Sequence, residues 1–173
     1  RSGHSVSLSA DGSVVAIAAI SNDGNGTNSG HVRIYQNDVV SPSLSSSSPA
    51  DNATTVAIDS NIVLNFSEAV DAESGNITIK KTSDNSTIET IDVTSGQVTG
   101  SGTTQITINP SVTLASNTEY YVQIAATAFD DAAGNSYAGI TDTTSLSFTI
   151  ADTTNPTFVS AATNSDGTKV ILT

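Results

Sequence analysis

Cysteine is absent from this chain. No disulfide can staple it, no thiol can serve as a nucleophile, and thiolate metal sites are excluded. Methionine and tryptophan are absent too, and aromatic residues amount to 5%. A core must therefore be assembled from Val, Ile, Leu, Ala and a few Phe and Tyr, a vocabulary that favours strands. Basic residues number 5 against 17 acidic ones, for a net charge of −12. Such a chain repels polyanions, which argues against nucleic acid and anionic membrane surfaces as partners. The longest apolar run covers residues 14–20, far short of the ~20 residues that cross a bilayer. No direct membrane insertion is expected.

Serine and threonine supply 52 of the 173 residues, so the surface is expected to be hydroxylated rather than charged, as in exported repeat proteins. An extracellular, cell-surface setting is expected, and the start at Arg1 fits an interior piece of a longer precursor. Helical periodicity is missing. Short alternating runs bounded by Gly, Asn, Asp, Ser and Pro recur about every ten residues, the pattern of sandwiches and barrels. The expected class is all-β, and turn chemistry divides the chain into residues 1–37, 38–151 and 152–173.

The first unit reads as a hairpin, residues 5–9 and 14–19 around Asp11-Gly12, followed by a Gly/Asn-rich loop and a third strand over 31–36. Three strands without a covering layer hardly fold alone. Val6, Leu8, Val15, Ile17, Val32 and Ile34 are therefore expected to meet neighbouring domains or identical subunits. The segments SGHSVSLSADGSVVAIAA and NDGNGTNSGHVRIYQ, within residues 2–36, resemble the FG-GAP-like, propeller-type repeat of large bacterial extracellular proteins. The resemblance implies one strand before Ser2-Gly3 that this chain does not contain.

The second unit opens with a Ser/Pro-rich linker over 39–49. Strands are expected near 56–58, 61–66, 76–81, 87–93, 104–109, 118–126 and 145–150, about seven in all, which suits an immunoglobulin-like antiparallel β-sandwich. Alternation selects an inward face: Ile62, Leu64 and Phe66; Ile77 and Ile79; Ile106 and Ile108; Tyr120, Val122 and Ile124; Leu146, Phe148 and Ile150. SPADNATTVAIDSNIVLNFSEAV, ITINPSVTLASNTEYYVQI, DDAAGN and LSFTI, in that order, resemble the bacterial Ig-like domain of S-layer proteins and large adhesins. Tyr120 resembles the corner tyrosine of sandwich domains, whose hydroxyl bonds back to the chain.

An internal repeat links the second unit to the third. Asp38, Pro42 and Leu44 recur as Asp152, Pro156 and Phe158 at a constant offset of 114 residues, and Ser46, Thr54, Val56 and Ile58 fall on Ser160, Thr168, Val170 and Leu172. Residues 152–173 thus read as the linker and first strands, 157–162 and 168–173, of a following Ig-like unit. Phe158, Val170 and Leu172 are expected to await partners. A tandem array and a filament joined by β-strand exchange both follow from incomplete β units at the two ends.

The imidazoles are His4 and His31, and neither lies in a triad context. Glu68 with Asp71, Glu73 or Asp130 would be the pairs for glycoside hydrolysis, but a sugar groove wants aromatic platforms, so no enzyme is expected. The acids suggest a cation instead. In such a sandwich the start of the first strand, the loop after the second strand and the loop before the last lie at one end. These carry Asp38; Glu68, Asp71 and Glu73; and Asp130, Asp131 and Asn135. Asp152 takes the corresponding place at the opposite pole. Hard oxygen donors of this kind suit Ca2+; a plain Asp/Gly turn is the alternative. The loop over 22–26 has one carboxylate, Asp23, and reads as a loop. The function expected first is a spacer or assembly unit of an S-layer, surface fibre or giant adhesin. The alternative is an adhesive module whose end loops recognise a glycan or host-surface protein.

Overall fold

The computed structural model describes residues 5–20, 26–27, 29–163 and 170–172, the last strand and residues 162–163 by backbone alone. The described residues form strands and turns, with no helix. His4 and residues 22–25 of the loop around Asp23 lie outside them.

Strands β1 (Ser5–Leu8), β2 (Val14–Ala19) and β3 (His31–Gln36) form an antiparallel sheet in that order. Asp11 sets the first turn: its Oδ1 accepts from Ser9 Oγ at 2.6 Å and from Ser13 N at 3.1 Å, while Gly12 takes φ of 76°. Pairing sorts the apolar residues onto two faces. Val6 lies opposite Ile17 and Leu8 opposite Val15, whereas Ile34 lies opposite Ala16 and Val32 opposite Ala18. Val6, Leu8, Val32 and Ile34 are all exposed.

The central region is an Ig-like β-sandwich of two five-stranded sheets. One sheet holds β4 (Leu44–Ser48), β6 (Ile62–Ala72), β9 (Val98–Thr99), β10 (Thr103–Ile108) and β12 (Phe129–Asp130). The other holds β5 (Ala53–Val56), β7 (Asn76–Lys81), β8 (Thr87–Asp92), β11 (Glu119–Ile124) and β13 (Ser147–Ile150), in the order β5-β13-β11-β7-β8. Three strands exceed the sequence expectation. β4 is a run of serines after Leu44, without alternation, and it exists because its backbone pairs with β6 from Leu44↔Phe66 to Ser48↔Val63. β9 and β12 are two-residue strands, too short for any periodicity. One pairing is parallel rather than antiparallel: β5 joins β13, Phe148 opposite Ala53.

Every residue of the expected inward face is buried. Val70, Ile91, Val93, Leu114, Ala128, Phe129, Tyr137 and Ile140 complete the core. Phe66 meets Phe129 at 5.4 Å and Tyr137 edge-on at 5.2 Å, closing the end of the sandwich where the chain enters. Tyr120 behaves as a corner residue, its hydroxyl accepting from Ala115 N at 2.9 Å. Glu89 ties the two sheets along one side: its Oε1 accepts from Gln97 Nε2 at 2.8 Å and Ser111 Oγ at 2.6 Å. Gly100 is required by the β9–β10 turn, since a Cβ there would lie 2.1 Å from the Gln105 carbonyl oxygen.

Beyond the sandwich, β14 (Ala161–Thr163) and β15 (Val170–Leu172) form a two-stranded antiparallel sheet. The first begins at Ala161 rather than at the expected 157, and residues 168–169 and 173 of the second expected strand lie outside the described residues. Phe158, one residue of the expected strand, is 70% exposed. The side chains of Val170 and Leu172 lie outside the described atoms.

Candidate metal centre where the chain enters the sandwich

Glu68 owes its position to an irregularity in β6. Along one edge β4 ends at Phe66 and β12 begins opposite Asp71, leaving a gap between them. Along the other edge the partner of β10 jumps from Val70 to Asn65 while β10 itself advances only from Thr103 to Gln105. The extra residues bulge out of the ladder, which re-aims the side chains they carry. Glu68 sits in this bulge, half-buried.

Asp131 follows β12 and is 6% exposed. Its Oδ1 accepts from the amides of Ala133 and Asn135, both at 2.8 Å, and its Oδ2 from Asn135 Nδ2 at 2.8 Å. These donors, the Asn135 side chain foremost, hold the Asp131 carboxyl below its ordinary pKa. Asp38 arrives on the incoming segment. Its Oδ1 accepts from Val40 N at 3.0 Å, and its main-chain oxygen accepts from Asn135 Nδ2 at 3.1 Å. Asn135 thus ties the incoming chain to the Asp131 loop.

Asp38, Glu68 and Asp131 each present a carboxylate oxygen, and these oxygens lie within 4.8 Å of one another. The depression they share encloses about 380 Å³ and has no Lys, Arg or His in its lining. Crowding of like charge shows on Glu68, whose pKa is raised by desolvation first and then by Asp38 and Asp131. An all-oxygen set of anionic donors without a counter-charge fits a hard divalent cation, with water completing the shell.

The other expected ligands lie elsewhere. Asp71 and Asp130 are cross-strand partners in the β6–β12 pair, Asp71 accepting from Ser101 Oγ at 3.1 Å. Asp130 Oδ1 is buried without a hydrogen-bond partner. Glu73 is exposed beyond the end of β6. Asp152 leaves the far end of the sandwich, where its Oδ1 accepts from Ser116 Oγ at 3.3 Å. Sequence reasoning did not single out Ser116. Its only signal is a Ser-Asn-Thr turn before a strand, a pattern too ordinary in so Ser/Thr-rich a chain to stand out.

The model of the bacterial Ig-like domain matches residues 38–150. The chain belongs to this family. The match starts at Asp38, so the incoming arm of the carboxylate group lies within the Ig-like domain. Among solved structures, the crystal structure of CopC from Methylosinus trichosporium OB3b is similar at 17% identity and a TM-score of 0.47, over 67% of this chain and 99% of that one. No curated protein matches the chain.

Proposed function

We propose that the chain is a non-catalytic structural unit of an exported bacterial surface protein, a spacer or assembly domain of an S-layer, surface fibre or giant adhesin. The meeting of Asp38, Glu68 and Asp131 supports it, because the acids gather where the incoming chain crosses the end of the sandwich. A hinge is the weak point of a string of domains. Calcium held there by these three carboxylates would draw the linker onto the β6 bulge and the Asp131 loop, removing hinge freedom. The offset repeat of Asp38 at Asp152 supports a tandem arrangement, and the resemblance of residues 2–36 to the FG-GAP-like repeat supports a large extracellular parent. Membership of the bacterial Ig-like family supports an extracellular or periplasmic setting. Among the described residues no helix is long and apolar enough to cross a membrane.

The test is a thermal melt with calcium and with excess chelator, at constant ionic strength. Binding to the folded state raises the melting temperature by mass action, by about 5 °C at saturating calcium. A melt that chelator leaves unchanged removes calcium from this account. Electron microscopy of native material tests the spacer reading separately: regular fibres or sheets support it, and dispersed monomers that bind glycans overturn it in favour of adhesion.

A further inference from the structure

The two ends of the Ig-like domain show two halves of one arrangement. Asp38 and Asp152 are related by the 114-residue offset, and they adopt the same local geometry. Each carboxylate accepts from the amide two residues on, Asp38 from Val40 at 3.0 Å and Asp152 from Thr154 at 2.9 Å. Their surroundings are complementary. Asp38 faces forward, onto Glu68, Asp131 and Asn135 of the domain it enters. Asp152 faces backward, onto the domain it leaves.

Ser116 makes that backward contact with one shared donated bond and one accepted bond. Its single hydroxyl proton is shared between Asp152 Oδ1 and the Ala151 carbonyl, each at 3.3 Å, and its Oγ accepts from Thr153 N at 2.8 Å. The neighbouring Asn117 amide also reaches the Ala151 carbonyl, at 3.3 Å. The departing chain is therefore bound over residues 151–153 before it reaches any structure of its own.

We infer that the Ser116 end of this domain is the docking surface for a second Ig-like unit, and that the junction is a two-sided clamp on one aspartate. Ser116 grips Asp152 from the preceding unit; in the following unit the counterpart of Asn135 donates to its main-chain oxygen, and counterparts of Glu68 and Asp131 would join its carboxylate around a shared cation. The partner is identified by its chemistry: a sandwich whose near end offers an amide donor to the linker and paired carboxylates for a shared cation, as this one does around Asp38. Ser116 is a positioning residue that aims the linker. The inference rests on the spacer reading and adds the residue that sets direction.

The experiment compares the 173-residue chain with Ser116→Ala and Ser116→Thr by amide hydrogen exchange and 15N relaxation. In Ser116→Ala the Thr153 amide exchanges about tenfold faster, the change expected for loss of one ordinary hydrogen bond. Thr153 and Thr154 gain fast motion, the Asn117 amide and the melting temperature stay put, and Ser116→Thr restores the original behaviour. Unchanged exchange at Thr153, or a general loss of protection with a lower melt, overturns the assignment. A longer chain running on from Thr173 into a second copy of residues 60–151 tests the partner by small-angle scattering. A narrow distribution of lengths that Ser116→Ala broadens supports the clamp, and equal distributions overturn it. Rods in both chains would sink the clamp while leaving the spacer reading intact.

Discussion

Val6 and Leu8 in β1 alternate with serine just as Ile62, Leu64 and Phe66 alternate along β6, yet Leu8 is 61% exposed and Leu64 is 0% exposed. The two segments have the same local pattern and both are strands. They differ in what lies across from them: a second sheet covers the inner face of β6, whereas none of the described strands covers the β1–β3 sheet. Alternation creates a strand, and burial needs a partner layer. The contrast supports reading the first sheet as a surface for a neighbour.

Leu64→Ala is expected to break the central domain most strongly, costing about 3 kcal/mol by loss of buried methyl groups and the cavity left behind. Ile34→Ala, at a side chain 70% exposed, is expected to change stability by no more than about 0.5 kcal/mol. Urea titration of both variants checks this, and equal effects would mean that the first sheet is covered in solution. Tyr120→Phe comes next, at about 1 kcal/mol, because the Ala115 amide loses its acceptor while the ring keeps its packing.

Glu68→Gln has an effect whose sign depends on calcium. The folded-state pKa of Glu68 is raised, so its protonated form is favoured in the fold. That contribution is present below the ordinary glutamate pKa and is lost as pH rises through the raised value. At neutral pH without calcium the variant is therefore expected to melt slightly higher than the parent. With calcium the order reverses, because one of three ligands is gone. A variant that responds to calcium as the parent does would detach Glu68 from the site.

The smallest effect belongs to the first sheet. The Ser9 hydroxyl, then the Ser13 amide and hydroxyl, lower the Asp11 pKa to about 2. Its sign is opposite to that of Glu68: the stabilisation holds above the ordinary aspartate value and is lost as pH falls through about 2. Ser9→Ala should bring the Asp11 titration, followed by carboxyl-carbon NMR, back toward the ordinary value without altering the central melt.

Much of the fold was legible because its signals are local. The period of two placed Ile77, Ile79, Ile106 and Ile108 in the core. One turn was legible for a similar reason. The Asp11-Gly12 turn forms where it was expected, with Asp11 accepting from the Ser13 amide; Asp84, Asp92, Asp142 and Asp152 make the same bond to the Ser or Thr two residues on, a recurrence that sequence reasoning did not single out. β4 was not legible, since serines carry no alternation and its pairing with β6 is a backbone matter. The candidate site was legible only as a set of acids near one end. Glu68 meets Asp38 and Asp131 while Asp71 and Glu73 do not, and the bulge that decides this has no mark in the residues that form it.

The sequence by itself determined where the long alternating strands run, which of their side chains face inward and where the Asp11-Gly12 turn falls, because hydrophobic period and Asp/Gly turn chemistry act over a few residues. Only the tertiary structure decided that β5 joins β13 in parallel, that the apolar residues of the first sheet divide between two faces, and that three of the acids converge. Those outcomes depend on register between strands far apart in the chain, and register is set by which layers find each other.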